Sequence, residues 1–373
     1  MTQDEKDINK KDINEKDIEN LRKEIDDIDD QIVDLLNKRG NAVIKIGSIK
    51  KTLNINVSQP HREKEVIDRI KKKRTVFKNS SIEAIWKELI SASKVIQDRI
   101  AKIGYLGPIG TFTHQAALKY FPKAGSDFIP IKDLIEIFDN IEKGKIEYGV
   151  VPIENTLQGT VRETLDLLID RNLVIYGEIE LRIIQNLISL KGADINSIQT
   201  IFSHPQAFSQ TRSWIKANLP NVNLIDVSST AEAIRRVRKL NDPTYAAIGT
   251  EFASNIYDLE VANPMIEDET TNFTRFLVIS KNENSIIEGK IKTSIVFVTK
   301  HEPGALYWVL KIFSEANINL SKIESRPFKK VRWEYIFFVD FEGDKNDEKV
   351  KEALRLIETN VRWQKTLGSY PAN

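Results

Sequence analysis

Residues 21–53 read LRKEIDDIDDQIVDLLNKRGNAVIKIGSIKKTL. Taking every third and fourth residue gives Leu21, Ile25, Ile28, Ile32, Leu35, Arg39, Ala42, Ile46, Ile49 and Leu53. The 4-3-4-3 spacing predicts one long helix that buries a stripe against partner helices. Arg39 interrupts that stripe. A guanidinium there is costly to desolvate unless an anion meets it, although it can also snorkel or pair with a nearby carboxylate.

Two further helices are expected downstream. Pro60 suits a first-turn position and opens a helix to about Arg74. Ser80-Ser81-Ile82-Glu83 has the form of a capping box, followed by the stripe Ile82, Trp86, Leu89, Ser93, Ile96, Ile100. Upstream, residues 1–20 repeat Asp-Ile every five residues among Lys, Asn and Glu. This polar lead-in is expected to be disordered, or a frayed extension of the first helix.

The pattern changes at Lys102. Residues 102–281 alternate short apolar strands with helical stretches, the mark of an α/β sheet with helices on its faces. Residues 282–290 form a polar linker. Residues 292–373 then read strand, helix, strand, strand, helix, strand, a ferredoxin-like βαββαβ order. The expected fold is therefore multi-domain: an all-α module over 21–101, an α/β domain over 102–281 and an α+β domain over 292–373.

Composition narrows the chemistry. The 373 residues carry a net charge of +1 with 29% charged residues, which gives no sign of a nucleic-acid or membrane-surface partner. The chain has no cysteine, so disulfides, thiolate catalysis and Cys-based metal sites are excluded. The histidines His61, His114, His204 and His301 have no metal-ligand spacing. With no signal peptide and no apolar run of about 20 residues, a soluble cytoplasmic enzyme without metal or cofactor is expected.

In the helical module, Arg39 and Lys50 lie on one helix face, about 16 Å apart at 1.5 Å per residue, and can bracket one small anion. Arg22 is roughly 25 Å from Arg39 and reaches that ligand only from a second, antiparallel copy. Arg62 and Glu63 open the second helix. Ser93 and Gln97 lie one turn apart on the third, where a Ser often bonds its own i−4 carbonyl. The set is rich in positive charge and lacks a nucleophile. It resembles the all-helical chorismate mutases, which form an intertwined dimer and catalyse a Claisen rearrangement of chorismate to prephenate. The resemblance implies that Arg22 of the partner and Arg39 clamp the two carboxylates, and that Lys50 and Gln97 donate to the ether oxygen. It further implies that Glu63 binds the ring hydroxyl, while Arg62 and Ser93 support a carboxylate. Gln59 stands where that family often has Asp, and can still hydrogen-bond the hydroxyl.

Four loop motifs mark the α/β domain: Gly107-Pro108-Ile109-Gly110-Thr111-Phe112-Thr113-His114; Pro152-Ile153-Glu154-Asn155-Thr156 with Gly159-Thr160; Ser203-His204-Pro205-Gln206; and Asn272-Phe273-Thr274-Arg275-Phe276. Helix N-termini in such loops offer N–H groups to carboxylates. Together the motifs resemble the prephenate dehydratases, which remove CO2 and water from prephenate to give phenylpyruvate. Their fold is two α/β subdomains like those of periplasmic binding proteins, with the site in the cleft. The resemblance implies that Thr274 assists the departing hydroxyl. Arg275 is either a carboxylate ligand or structural. Thr111, Asn155, Thr156, Thr160, Ser203 and Gln206 are implied cleft donors. Glu154 and His114 are titratable neighbours; His114 is a candidate general acid, with a capping or core role equally open for it and for His204.

In the last domain, Gly304-Ala305-Leu306 and Glu324-Ser325-Arg326-Pro327 are similar to the effector motifs of ACT domains. These bind L-phenylalanine between paired domains; a plain dimerisation domain is the alternative. The combined expectation is an oligomeric bifunctional mutase–dehydratase of phenylalanine biosynthesis under feedback control. Two other readings stay open: a dehydratase whose helical module only dimerises, and a non-catalytic amino-acid sensor.

Overall fold

The computed structural model describes residues 15–52, 60–73, 75–97, 100–284, 289–328 and 334–372. The chain forms two compact units that divide between residues 99 and 100. Residues 1–14 of the polar lead-in, Gln59 and residues 285–288 of the linker lie outside the described residues.

The first unit consists of α1 (Glu15–Thr52), α2 (Pro60–Lys71) and α3 (Asn79–Ile96). Two expectations change, and a third is decided between its alternatives. The last six residues of the lead-in, 15–20, extend the first helix, because Ile18 continues the apolar spacing back from Leu21. Helix α3 begins at Asn79 after Lys78, with no side-chain cap. Glu83 therefore closes no capping box and pairs with Lys71 and Lys87 instead. The predicted stripe is also not the face that meets α3. Within one chain, Leu21, Ile25, Ile28, Ile32, Leu35, Ile46 and Ile49 remain 47–62% exposed. The half-buried positions of α1 are Arg39, Gly40, Val43, Gly47 and Lys50, one step around the helix, where two glycines let α3 approach.

The second unit begins with β1 (Ala101–Leu106), α4 (Phe112–Tyr120), β2 (Ser126–Ile131), α5 (Leu134–Glu142), β3 (Tyr148–Asn155), β4 (Gly159–Thr160), α6 (Arg162–Asp170) and β5 (Val174–Arg182). It then crosses to a second lobe: β6 (Asn186–Ser189), β7 (Thr200–Ser203), α7 (Pro205–Gln210), α8 (Arg212–Asn218), β8 (Asn223–Asp226), α9 (Thr230–Leu240), β9 (Tyr245–Gly249), α10 (Glu251–Ile256) and β10 (Glu260–Asn263). The chain returns in β11 (Phe273–Ser280) to the middle of the first sheet. The sheets run β2-β1-β3-β11-β5, with β4 on β3, and β10-β6-β9-β7-β8. Two lobes joined by two crossings leave a cleft between them.

The remainder is β12 (Ile291–Thr299), α11 (Ala305–Glu315), β13 (Leu320–Pro327), β14 (Tyr335–Glu342), α12 (Glu348–Asn360) and β15 (Val361–Pro371). Its antiparallel sheet, ordered β13-β14-β12-β15, has the expected ferredoxin-like arrangement. Strand alternation gives it two apolar faces. Ile295, Phe297, Phe337, Val339 and Phe341 pack under α11 and α12. Val296, Val298, Ile336 and Phe338 pack instead with Leu165, Leu168, Leu277 and Ile279 of the first lobe. Lys365 of β15 reinforces this seam by donating to the carbonyls of Leu168 and Arg171 at the end of α6. Among the described residues, no helix is long and apolar enough to cross a membrane.

Candidate functional sites

In the helical unit, Arg39 Nη1 donates to Ser93 Oγ, and Ser93 Oγ donates to Leu89 O at 2.6 Å. Ser93 thus bonds its own i−4 carbonyl and at the same time accepts from Arg39. Burial lowers the Arg39 pKa, as expected for a guanidinium taken from water without a full anionic partner. Gln97 Nε2 donates to Ser93 O at 3.0 Å, while its Oε1 is buried with no hydrogen-bond partner among the described residues. Gly47 makes room for it: a Cβ there would stand 2.8 Å from Gln97 Cγ. Lys50 is half-buried on the same face of α1. Arg39, Ser93 and Gln97 thus meet beside one face of α1, with one buried polar atom unused.

The other mutase candidates make contacts of their own. Glu63 accepts from Lys94 at 2.9 Å. Arg62, expected with Ser93 to support a carboxylate, is exposed and pairs with Glu65 one turn away. Arg22 is exposed on the N-terminal half of α1, as a residue offered to another chain would be.

The cleft of the second unit encloses about 320 Å³. Two longer helices start at it. Thr111 caps α4, accepting from His114 N, and Ser229 caps α9, accepting from Glu232 N. Thr111, Thr113, Ser228, Ser229 and Thr230 line the cavity, so two positive helix ends face it. Thr274, Asn155 and Gln206 line it too. Asn155 Nδ2 donates to Thr274 Oγ1 at 2.9 Å. Among the described residues no acceptor takes the Thr274 hydroxyl hydrogen, which leaves it for a ligand.

A bulge sets this pair. Arg275 pairs with Glu154 but Phe276 pairs with Pro152, so Ile153 is an extra residue in β3. The bulge shifts the side-chain alternation and turns Asn155 to the cavity side, opposite Thr274. The residues next to them face the other way, which corrects the expectation for Glu154 and leaves the structural alternative for Arg275. Glu154 is not a cleft group: it accepts from Lys322 at 2.8 Å. Arg275 is not a carboxylate ligand. It donates to Glu178 and Asp340, each at 2.6 Å, and to Tyr370 at 2.9 Å. Burial alone would lower its pKa; the nearby Tyr370, Asp340 and Glu178 outweigh that and raise it.

Three more positions move out of the cleft. Thr160 donates to Glu324. Ser203 is fully buried and donates to Ile248 O at 2.9 Å. Thr156 is used locally, donating to Thr271 O and accepting from Phe273 N. His114 stacks on Tyr105 with ring centroids 4.4 Å apart, and its Nδ1 accepts from Gly110 N. Burial lowers its pKa, which favours the neutral form of this half-buried ring. His204 caps α7 through Nδ1 and also lines the cavity.

Sequence reasoning missed Gln185, Gln210 and the Ser228–Thr230 turn. Gln185 Nε2 donates to Gln210 Oε1 at 3.1 Å, leaving Gln185 Oε1 and Gln210 Nε2 buried without partners among the described residues. Ser228-Ser229-Thr230 carried a visible signal, a helix cap directly after a strand. Gln185 carried none, because it lies on an irregular crossing between the lobes.

In the third domain, Gly304 has φ +82 and caps α11, a left-handed conformation that favours glycine. Ala305 is buried and Leu306 packs on the core beneath α11. Ser325 is exposed. Glu324 and Arg326 are corrected from effector contacts to links with the first lobe of their own chain. Glu324 meets Thr160, while Arg326 pairs with Asp166 and donates to Arg162 O, both at 3.0 Å.

Residues 21–98 match the Chorismate mutase type II family, 103–284 the Prephenate dehydratase family and 293–357 the ACT domain family. A bifunctional chorismate mutase/prephenate dehydratase of Aquifex aeolicus is 42% identical over 95% of this chain and 98% of its own length. Its counterpart in Neisseria gonorrhoeae is 38% identical over 94% and 96%. Among solved structures, an Arthrobacter aurescens prephenate dehydratase in complex with L-Phe is 30% identical, with a TM-score of 0.66, over 73% of this chain and 90% of that one.

Proposed function

The chain belongs to the bifunctional chorismate mutase/prephenate dehydratase family, and from that premise we propose how its residues divide the work. The two reactions are the Claisen rearrangement of chorismate to prephenate and the decarboxylating dehydration of prephenate to phenylpyruvate.

In the first, one ether C–O bond breaks as one C–C bond forms, so the protein need only hold the reactive conformer and stabilise developing charge. Arg39, held by Ser93, takes a carboxylate, a task suited to a planar fork. Lys50 and Gln97 address the ether oxygen, Gln97 after its terminal amide leaves Ser93 O. Glu63 takes the ring hydroxyl, in exchange for Lys94, and Gln59 assists it. Arg22 comes from a second copy. The exposed apolar stripe of α1 supports a homodimer, since a row of uncovered Leu and Ile at heptad spacing fits a helical partner.

In the second reaction, the cleft binds the two carboxylates at the starts of α4 and α9, with Thr111, Gln206 and Gln210. Thr274 donates its hydrogen bond to the C4 hydroxyl. The ring carboxylate leaves as CO2, the released electron pair aromatises the ring, and the C4–O bond breaks to release hydroxide, hydrogen-bonded by Thr274, which takes a proton from solvent to become water. The observation that carries this reading is the Asn155–Thr274 bond: with Thr274 Oγ1 accepting from Asn155, its hydrogen points elsewhere. Aromatisation supplies the driving force, so a donor is enough.

L-Phenylalanine is the proposed effector, at the Gly304-Ala305-Leu306 turn between paired ACT domains, with Ser325 beside it. Glu324 and Arg326 transmit its binding through Thr160 and Asp166 to the first lobe. Inhibition requires that phenylalanine favour one of two states of that contact. A cytoplasmic location belongs to the same proposal. The test is to feed the purified chain chorismate, then prephenate, and follow phenylpyruvate with and without L-phenylalanine. Both substrates should yield phenylpyruvate, and phenylalanine should slow the second step. A chain that accepts prephenate alone would reduce the helical unit to a dimerisation device.

A further inference from the structure

Asn272 is 1% exposed and does not line the cleft, yet it sits at the root of the Asn155–Thr274 pair. The orientation of Asn155 is fixed by its own oxygen, which accepts from Leu157 N at 3.0 Å and Gln158 N at 3.1 Å. Its Nδ2 must therefore face β11. There it finds three acceptors for two hydrogens: Asn272 Oδ1 at 2.7 Å, Thr274 Oγ1 at 2.9 Å and Phe273 O at 3.1 Å. The shortest contact takes one hydrogen outright and fixes the amide plane. The second hydrogen then falls to Thr274 Oγ1, with Phe273 O as a weaker sharer. Asn272 is itself anchored, since Ile183 N donates to its carbonyl at 2.8 Å. Its own Nδ2 is buried with no hydrogen-bond partner among the described residues. Only the acceptor end of this amide is in use.

We infer that Asn272 is a positioning residue for the dehydration: its Oδ1 fixes the Asn155 amide, which in turn directs the Thr274 hydroxyl hydrogen into the cleft. The inference rests on the reading of Thr274 as the donor to the departing hydroxyl. Removing the acceptor frees the Asn155 amide to rotate, so the donor is misdirected while the groups that bind the carboxylates stay in place. The effect therefore falls on turnover rather than on substrate binding.

The test uses the full-length chain with Asn272→Leu, which removes the acceptor at similar size, and Asn272→Asp, which keeps an acceptor, exchanges the idle donor for a second oxygen and introduces an ionisable carboxyl. Asn272→Leu should lower kcat for prephenate dehydration by about tenfold to a hundredfold, with KM within about twofold and mutase turnover unaltered. Asn272→Asp should recover most of that loss. An Asn272→Leu chain with near wild-type kcat would overturn the inference. So would an Asn272→Asp chain that is folded but equally slow, or that fails to fold. If Asn272→Leu itself does not fold, the Asp variant decides alone. Thr274→Ala is measured alongside: a wild-type rate there removes the Thr274 reading and this one together, whereas a slow Thr274→Ala beside a fast Asn272→Leu removes this one only.

Discussion

Neighbouring residues in this protein take opposite tasks. Thr274 and Asn155 face the cleft, whereas Arg275 and Glu154, one bond away, face the ACT domain. That division was within reach of the sequence, because strands alternate sides with a period of two. Consecutive residues such as Thr274 and Arg275 cannot both serve one cavity from a regular strand. The bulge at Ile153 was not legible, since nothing in Pro152-Ile153-Glu154-Asn155 marks the extra residue. Breaking the Arg275 cluster should show as instability. Arg275→Met leaves Glu178 to Lys292 alone and takes from Asp340 its cationic partner, with Ser294 still donating to it, which should cost about 3–5 kcal/mol. Thermal unfolding of the variant checks this; an unchanged midpoint would refute the structural assignment. His114 makes a second prediction. Burial holds its folded pKa below the ordinary value of 6.5, so stability is intact above that pH. As pH falls through it, the unfolded chain takes up a proton that the fold refuses, and stability declines. The midpoint of wild type should fall more steeply from pH 7 to 5 than that of His114→Asn, which keeps an acceptor for Gly110 N. Equal slopes would contradict a buried neutral ring.

The helices and strands themselves were largely readable. The long helix, its two companions and the βαββαβ order follow from hydrophobic spacing and from Pro, Gly and polar punctuation. Periodicity alone did not say which face of α1 meets α3, because both faces repeat at nearly the same interval. The distinguishing signal was the pair Gly40 and Gly47, small residues that admit a neighbouring helix. Gly47→Ala separates packing from activity. Alanine should favour the isolated helix by up to about 1 kcal/mol, yet its Cβ would crowd Gln97. Mutase turnover should drop by about tenfold, since Gln97 is a proposed donor to the breaking bond. Dehydratase turnover should hold. A fully active Gly47→Ala mutase would mean that the contact is not used. The contacts of Glu324, Arg326 and Lys322 could not have been read from sequence. Their partners on the first lobe lie about 160 residues earlier in the chain, and local pattern carries no trace of them.

Across the whole molecule, the dehydratase and ACT domains form one unit in which the ACT sheet packs directly behind the strands that carry Asn155 and Thr274. The helical unit leaves an apolar stripe uncovered within one chain, which the proposed mutase site shared between two copies would account for. Arg22→Ala and Arg39→Ala should each abolish mutase turnover alone. Mixing the two proteins, with subunit exchange verified, should restore about a quarter of wild-type activity, because half of the dimers are then hybrids with one intact site of two. No recovery would contradict a site built from two copies.

The most direct test is a double dissociation with Lys50→Ala and Thr274→Ala in the full chain, each assayed with chorismate and with prephenate. The first should lose prephenate formation by about a hundredfold or more and still convert supplied prephenate to phenylpyruvate. The second should form prephenate normally and accumulate it. Loss of both reactions in either variant, or of neither, would contradict two separate sites on one chain.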